Sequence, residues 1–447
     1  MKKNTMIDSL ESLYLFRQKQ ASHTTLDYFI IWFRILNNNE NKQGYYEFSD
    51  KLKENIDKKL LANDKSDLFY YYLLLFLCYK ELLMWEPAIK NLNQSTKYMA
   101  YNIEESYIYY CYGRLFYDID EFMEDFNSLR ALYRLREVKC LSELKDSLYK
   151  EIKKNRIVNL KDLSIENNFE DKINCNPWNA SLFFFEKALK NSKEQQKEHY
   201  CYWYALANYK KAKYELVHGE KVESVRKNLQ KNEQNFKNAE FWSRGKIKNI
   251  NFDWGINDFY IAMCIKDDKS ISFLRKAKEK FHIAKNVINV STVKNEYTFR
   301  RESLDFEYFY LLTLIELYKI DKEHYIFDLS TSLDEFCHQL RNNGGERVEY
   351  YISIAQAYDE IGEFEKAEEY WDNAKELDLR KFTSFPYKIG MAFHNTTYRN
   401  IWDSVLDSIK RDKINKSVHE IFTQEDEDVL LEVSVDEKIK EHYKNKK

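Results

Sequence analysis

Apolar residues recur along the chain at intervals of three and four. Near the start, Leu10, Leu13 and Tyr14 have this spacing, and it continues through nearly every later segment, whereas long stretches of alternating polar and apolar residues are scarce. A helix turns once in about 3.6 residues, so this spacing gathers apolar side chains on one helical face. The pattern predicts an all-α protein built from successive helices.

A longer pattern is clearest between residues 351 and 377. Small side chains at Ala355 and Ala367 allow two antiparallel helices to touch, and Gly362 between them suits a tight turn. The remaining positions of the pattern are Tyr351, Ile354, Tyr358, Phe364, Trp371, Ala374 and Leu377. This spacing is typical of a tetratricopeptide repeat, a helical hairpin that stacks on its neighbours.

Partial copies of the hairpin pattern occur at residues 72–92, 109–122, 180–189 and 202–209. A single hairpin cannot bury its apolar face, so several copies must stack to form a stable core. One near-complete copy together with these partial copies predicts a tetratricopeptide-like helical-repeat solenoid.

The repeat pattern divides the chain into five segments. Residues 1–62 lack the pattern and are predicted to form an N-terminal helical bundle, and residues 63–139 are predicted to form the first tetratricopeptide-like repeats. Residues 140–176, rich in charged residues and Asn, are interpreted as an insertion or linker. The repeat array resumes over residues 177–423, and residues 424–447 form a charged C-terminal tail.

Composition narrows the classes of fold and function. Only 9 Gly and 3 Pro occur in 447 residues, which leaves few turn residues for sandwiches, barrels, propellers or glycine-rich nucleotide-binding loops. The 70 basic and 73 acidic side chains nearly cancel, for a net charge of −3. A dedicated nucleic-acid-binding protein normally carries a basic excess, so this balance argues against nucleic acid as the partner.

One basic region, from Tyr209 to Lys248, combines lysines and arginines with aromatic residues. Such a combination can contact phosphates and stack on bases. Glutamates are interspersed through the same region, however, and aromatic residues at helical spacing usually belong to a core. Solvated helix faces therefore explain this region better than a nucleic-acid interface does.

The sequence carries no motif for catalysis or metal binding. It has no phosphate-binding loop, nucleophile elbow, paired-histidine zinc motif or closely spaced cysteine pair. The cysteines lie far apart, as expected for reduced core residues, the start of the chain lacks a secretory apolar segment, and the longest apolar run, Leu68–Tyr79, is too short to span a bilayer. We therefore expect a cytoplasmic protein without enzyme activity, cofactor, metal ion or membrane contact.

Polar residues on the first helix of each predicted hairpin are the candidate binding residues. In a repeat superhelix one row of first-helix side chains faces the concave groove, where amides can pair with the backbone of an extended peptide and arginines can bind a carboxylate. The repeat pattern assigns Arg114, Tyr117, Asn208, Gln356 and Asp359 to this row. Taken singly, each residue is better explained as an ordinary exposed polar residue, and only the row as a set favours a binding site.

Several patches, in their order along the chain, resemble the Rap-type regulators among the tetratricopeptide peptide-pheromone receptors of Gram-positive bacteria and their phages. The patches are Trp32-Phe33, Tyr45 to Ile56, the run Leu68-Phe69-Tyr70-Tyr71-Tyr72-Leu73-Leu74, Tyr109 to Phe116, and Tyr297-Thr298-Phe299-Arg300-Arg301. The resemblance adds Arg300 and Arg301 to the candidate peptide-binding residues. Because adjacent helical residues face different directions, only one of these two is expected to contact a peptide.

The resemblance also implies a mechanism. In that family the N-terminal bundle and the first repeats bind a response regulator or a transcription factor, and a secreted short peptide in the repeat groove releases it. Some members promote dephosphorylation of the partner through a glutamine before the first repeat. Lys65 occupies that position here, so the resemblance does not extend to phosphatase activity.

The resulting hypothesis is a regulatory protein-binding scaffold that is switched by a short peptide, as in quorum sensing. An alternative from a different class is a constitutive adaptor subunit of a multiprotein complex, for example one related to defence or to a toxin. In that case a permanent protein partner would fill the groove, and no signalling peptide would be needed.

Overall fold

The computed structural model describes most of the chain between Thr24 and Asp378. The described residues are 24–39, 42–65, 67–99, 102–129, 176, 178–217, 221–244, 247, 249–265, 269–290, 296–343 and 347–378. Within them the chain forms helices and short connections and no β-strand, which confirms the all-α prediction. The predicted insertion, apart from Asn176, and the charged tail at 424–447 lie outside the described residues.

Fourteen α-helices lie in the described part of the chain, numbered in chain order. They are α1 (Thr24–Asn39), α2 (Lys42–Leu61), α3 (Leu68–Glu81), α4 (Trp85–Ser95), α5 (Asn102–Leu129), α6 (Asn179–Asn191), α7 (Glu194–Val217), α8 (Val222–Ser243), α9 (Ile250–Met263), α10 (Ser270–Val290), α11 (Glu296–Ile320), α12 (Lys322–Asn343), α13 (Val348–Ile361) and α14 (Phe364–Asp378). A short 3-10 turn at Thr96–Tyr98 follows α4.

The described helices divide into two compact units. The first unit contains α1 to α4, α5 as far as Glu121, α6, α7 as far as Lys211, and α8 from Gln234 onward. The second unit contains α8 as far as Glu233 together with α9 to α14. The short C-terminal ends of α5 and α7 also belong to the second unit.

Helix α3 provides much of the core at the start of the first unit. Its sequence is the longest apolar run of the chain, and every residue from Leu68 to Lys80 except Tyr72 is buried. The ring of Phe29 on α1 lies 5.8 Å from the ring of Phe48 on α2 and 5.9 Å from the ring of Tyr71 on α3, measured between centroids. Helices α1 and α2 therefore share a core with α3.

Consecutive helices of the second unit form hairpins. The pairs are α9 with α10, α11 with α12, and α13 with α14. In the last pair Gly362 ends α13 in the left-handed conformation, with φ of 85°, and the backbone N–H of Glu363 donates to the carbonyl of Tyr358 at 2.9 Å. A residue with a Cβ is strained at that φ, so glycine suits this turn. Ala355 and Ala367 are fully buried, as the sequence pattern predicts.

Equivalent helices of successive hairpins run parallel. Asp305 on α11 accepts a hydrogen bond from Arg347, which lies 42 residues later and directly precedes α13. Helices α10 and α12 are joined by three side-chain contacts that each span 50 residues: Arg275 with Tyr325, Lys278 with Asp328, and Lys285 with Glu335. A constant separation means that the two helices are in register along their length.

These separations exceed the period of about 34 residues that is typical of a tetratricopeptide repeat. The cause is helix length, because α10, α11 and α12 contain 21, 25 and 22 residues. The second unit is thus a stack of helical hairpins with long helices. Its assignment as tetratricopeptide-like stays a prediction.

Candidate functional site

The residues of the predicted binding row lie on three helices. Arg114 and Tyr117 lie on α5, Asn208 lies on α7, and Gln356 and Asp359 lie on α13. The first three belong to the first unit and the last two belong to the second. The residues therefore fall into two groups, one in each unit.

Arg300 and Arg301 lie on α11, but their side chains are outside the described residues. Their assignment to a peptide site stays a prediction.

Arg114 is the centre of a buried charge network in the first unit. Its guanidinium lies 3.4 Å from the ring centroid of Trp203 on α7, and one of its terminal nitrogens lies 3.0 Å from a carboxylate oxygen of Asp118. The Nζ of Lys80 on α3 lies 2.7 Å from the other oxygen of Asp118. The buried charge network, which comprises Lys80, Arg114, Asp118 and Trp203, thus joins the three helices α3, α5 and α7.

Mutual attraction keeps the network charged despite its burial. Burial favours the neutral form of Asp118, but Arg114 and Lys80 outweigh it and lower the pKa of this carboxyl. Burial likewise opposes the charge of Lys80, and attraction from Asp118 and from Glu81 outweighs it, so the pKa of Lys80 is raised. The pKa of Arg114 is also raised, because Asp118 again outweighs burial. Groups with these shifts hold their charges at neutral pH and are poorly suited to proton transfer.

Tyr117 packs beside this network and is fully buried. Its ring lies 5.1 Å from that of Trp178 and 5.0 Å from that of Trp203, both in edge-to-face geometry. The Nζ of Lys210 lies 5.4 Å from the ring centroid of Trp178 and 3.7 Å from the carboxylate of Glu121. The two residues predicted on α5 therefore serve as core and interhelix contacts in this structure.

Asn208 is half-buried on α7. Its amide nitrogen donates to the backbone carbonyl of Tyr204 at 3.0 Å, one turn earlier on the same helix. A side chain bonded back to its own helix has one donor fewer for a peptide, although its amide oxygen can still accept.

Gln356 is the most informative residue of the second group. Its side chain is only 2% exposed, yet its amide oxygen accepts no hydrogen bond. Buried amide oxygens normally have a donor, so this position calls for an explanation. Asp359, one turn further along α13, is half-buried.

Polar side chains also join α11 to the start of α13. Asp305 on α11 accepts hydrogen bonds at 2.6 Å from both the guanidinium of Arg347 and the hydroxyl of Tyr350. Near the other end of the same helices, Lys319 lies 3.8 Å from Glu360. These contacts join α11 to α13 near the start of α13 and again near the C-terminal ends of both helices.

Only part of this arrangement can be predicted from the sequence. The pair Arg114 and Asp118 could have been recognised from its spacing of four residues, which places both on one helical face. Lys80 is a charged residue that directly follows an apolar run, which is a weaker signal. Trp203 lies far along the chain from Arg114, and no local pattern connects the two.

The described cysteines are not activated as nucleophiles, and the described residues form no cluster suited to a metal ion. Burial raises the pKa of all five described cysteine thiols, to about 12 for Cys78 and Cys264 and to about 11 for Cys201. A thiol must lose its proton to act as a nucleophile or metal ligand. No group of three or more His, Cys, Asp or Glu side chains suited to a metal ion occurs in the described ranges.

In the part of the chain that is described, none of the helices has the length and apolar character needed to cross a membrane. No protein-family model matches the chain, and no curated protein sequence matches it significantly.

Proposed function

We propose that this chain is a cytoplasmic, helical-repeat scaffold for regulatory protein binding, with tetratricopeptide-like hairpins, and that its second unit binds a short extended peptide. The peptide site lies on the first helices α11 and α13. The scaffold has no chemistry of its own and needs no cofactor. Its protein partner, held by the first unit, is a response regulator, a transcription factor or a subunit of a complex.

Gln356 is the single observation that carries the peptide site. A buried amide oxygen without a donor destabilises the free protein by about 1–3 kcal/mol. That oxygen is buried in the free protein, so a peptide can reach it only when α13 shifts on binding. The N–H of the peptide backbone would then supply the missing donor, and this cost would be recovered. The same site would be of little use to a small apolar ligand, which has no donor to offer.

Arg300 and Arg301 enter the proposal through the resemblance to Rap-type regulators. They lie on α11, the helix that faces α13 across the contacts of Asp305. An arginine on this helix would recognise a carboxylate of the peptide.

The experiment is affinity purification of the protein from its native host, with mass spectrometry that covers both proteins and short peptides. The variants are Gln356→Met, Arg300→Ala and Arg301→Ala, and the control is Gln43→Met, which changes an exposed glutamine of α2. We expect Gln356→Met and one of the two arginine variants to lose the peptide, while the control keeps it. Recovery of the same peptide with all four variants would contradict the proposed site.

The alternative is a constitutive adaptor, and the buried charge network favours it. A network that joins α3, α5 and α7 makes the first unit stiff, which suits a permanent interface. Under this alternative a protein partner is recovered in constant amount with every variant, and no peptide accompanies it.

A further inference from the structure

The polar contacts between α11 and α13 differ in strength along the two helices. At the start of α13, Asp305 accepts hydrogen bonds at 2.6 Å from both Arg347 and Tyr350. Near the C-terminal end, the Nζ of Lys319 lies 3.8 Å from the carboxylate of Glu360. Two short hydrogen bonds to one carboxylate restrain a helix more firmly than one long ion pair does. The start of α13 is therefore attached to α11 more firmly than its end.

A competing contact weakens the attachment of the end further. The Nζ of Lys319 also lies 2.7 Å from the carboxylate of Glu316, one turn earlier on α11. Glu316 and Glu360 thus compete for one ammonium group, and Lys319 lies closer to the carboxylate of its own helix. All three side chains are partly exposed to water, which weakens their attraction.

Helices α13 and α14 are built to move together. Among the described helices, α13 packs most extensively against α14. The rings of Tyr358 on α13 and Tyr370 on α14 stack, with their centroids 5.6 Å apart. A displacement of α13 therefore carries α14 with it.

Gln356 lies between the firm and the weak attachment. It follows Tyr350 by six residues and precedes Glu360 by four, so it shares a helical face with Glu360. Because Glu360 meets α11, this face is covered when the end of α13 lies against α11. Movement of that end away from α11 would uncover the buried amide oxygen of Gln356.

We infer that the hairpin of α13 and α14 is a gate, which pivots at Asp305 and is latched by the contact between Lys319 and Glu360. Release of the latch moves the C-terminal end of α13 away from α11 and gives access to Gln356. Glu316 sets the balance, because it binds Lys319 when the latch is open. The role of the gate rests on the proposed peptide site: a peptide that binds the open state shifts the equilibrium toward it.

A natural cysteine can report the opening. The Sγ of Cys337 on α12 lies 3.7 Å from the hydroxyl of Tyr358, and Cys337 is only 3% exposed. Opening of the gate withdraws Tyr358 and exposes this thiol. Cys264, which follows α9 two hairpins earlier, is also buried and serves as the internal reference, because only a wider unfolding would expose it.

The test is alkylation of the full chain with N-ethylmaleimide, without any peptide, followed by mass spectrometry of the fragments that contain Cys337 and Cys264. We expect Glu360→Gln to increase the alkylation rate of Cys337 by about two- to fivefold, the range for loss of a partly exposed ion pair. Glu316→Gln should decrease this rate, because Lys319 is then left to Glu360. The rate at Cys264 should be the same in both variants and in the unchanged protein.

The two variants remove the same charge beside the same lysine, so only the gate predicts opposite effects. Changes of the same sign at Cys337, or no change in either variant, would overturn the inference. Equal acceleration at Cys337 and Cys264 would overturn it as well, because it would show unfolding of the whole unit. Since no peptide is added, the result is independent of the purification experiment that tests the proposed function.

Discussion

The Nζ of Lys285 on α10 lies 3.3 Å from the carboxylate of Glu307 on α11, a residue that is only 2% exposed. Lys285 also lies 2.6 Å from Glu335 on α12, so one ammonium group joins three helices. Gln339 donates a further hydrogen bond to Glu307 at 3.3 Å. The pKa of Glu307 is nevertheless raised, because burial outweighs the attraction of Lys285.

Glu307→Gln should therefore change how stability depends on pH. A carboxyl whose pKa is raised in the folded protein binds its proton more tightly than in the unfolded chain. Stability should thus increase as the pH falls from neutral through the raised pKa of Glu307, down to the ordinary carboxyl range near 4.5. The variant should be at least as stable as the unchanged protein at pH 7 and should lack this increase, as measured by urea unfolding at several pH values.

Glu335→Gln is the matched control, because Glu335 binds the same lysine but is about half exposed. It should retain the increase in stability on acidification. If Glu307→Gln and the unchanged protein respond to pH in the same way, Glu307 is not the group responsible.

Asp118→Asn should destabilise the first unit. The substitution removes the carboxylate that neutralises Arg114 and Lys80, and breaking a buried ion pair typically costs about 3–5 kcal/mol. We expect the lower end of this range, because the Asp118 side chain is 17% exposed and Lys80 keeps Glu81 at 3.3 Å. Chemical denaturation at pH 7 measures the loss.

The lowered pKa of Asp118 also determines how its contribution to folding stability changes with pH. Its contribution is fully present above the ordinary carboxyl pKa and is lost as the pH falls through the lowered value. The difference between Asp118→Asn and the unchanged protein should therefore shrink in acid. The control is Glu54→Gln, which breaks an exposed pair with Lys51 and should leave stability unchanged. Equal effects of the two substitutions would show that the buried charge network does not stabilise the fold.

Gln356→Met should stabilise the free protein by about 1 kcal/mol or more, since it replaces a buried oxygen that lacks a donor with an apolar group of similar shape. Thermal unfolding measures the change. A gain in stability together with loss of the peptide would indicate that Gln356 is kept for binding at the expense of stability. A lower melting temperature would mean that the glutamine stabilises the fold, which contradicts this account.

Ala367→Phe tests the hairpin of α13 and α14. Ala367 is fully buried, so a large ring there should overpack the hairpin and destabilise the protein by about 1–3 kcal/mol. Glu365→Phe places the same ring at an exposed position of α14 and should have little effect. Calorimetry on both variants checks the difference, and an unchanged melting temperature for Ala367→Phe would contradict the close packing of the two helices.

The sequence was most informative where the structure depends on neighbours in the chain. The turn at Gly362 and the buried positions of Ala355 and Ala367 follow from a local pattern, and the structure confirms them. The separations of 42 and 50 residues between parallel helices could not be predicted in the same way, because they depend on the lengths of the helices between them.

The candidate site was predicted less completely for a related reason. The repeat pattern gives the helix on which a residue lies, but its burial depends on side chains from distant helices. Arg114 is covered by Trp203 and Tyr117 by Trp178 as well, so residues expected on a groove surface lie in the interior. Function, partner and peptide stay predictions.

The register between α11 and α13 has a consequence for engineering. Asp305 and Arg347 are hydrogen-bonded partners 42 residues apart, whereas the contacts between α10 and α12 span 50 residues. The two sides of the helical stack therefore do not share one repeat length. A duplicated segment of 42 residues would preserve the spacing between the first helices but not the spacing between the second helices, so an added hairpin would need its own set of charged contacts.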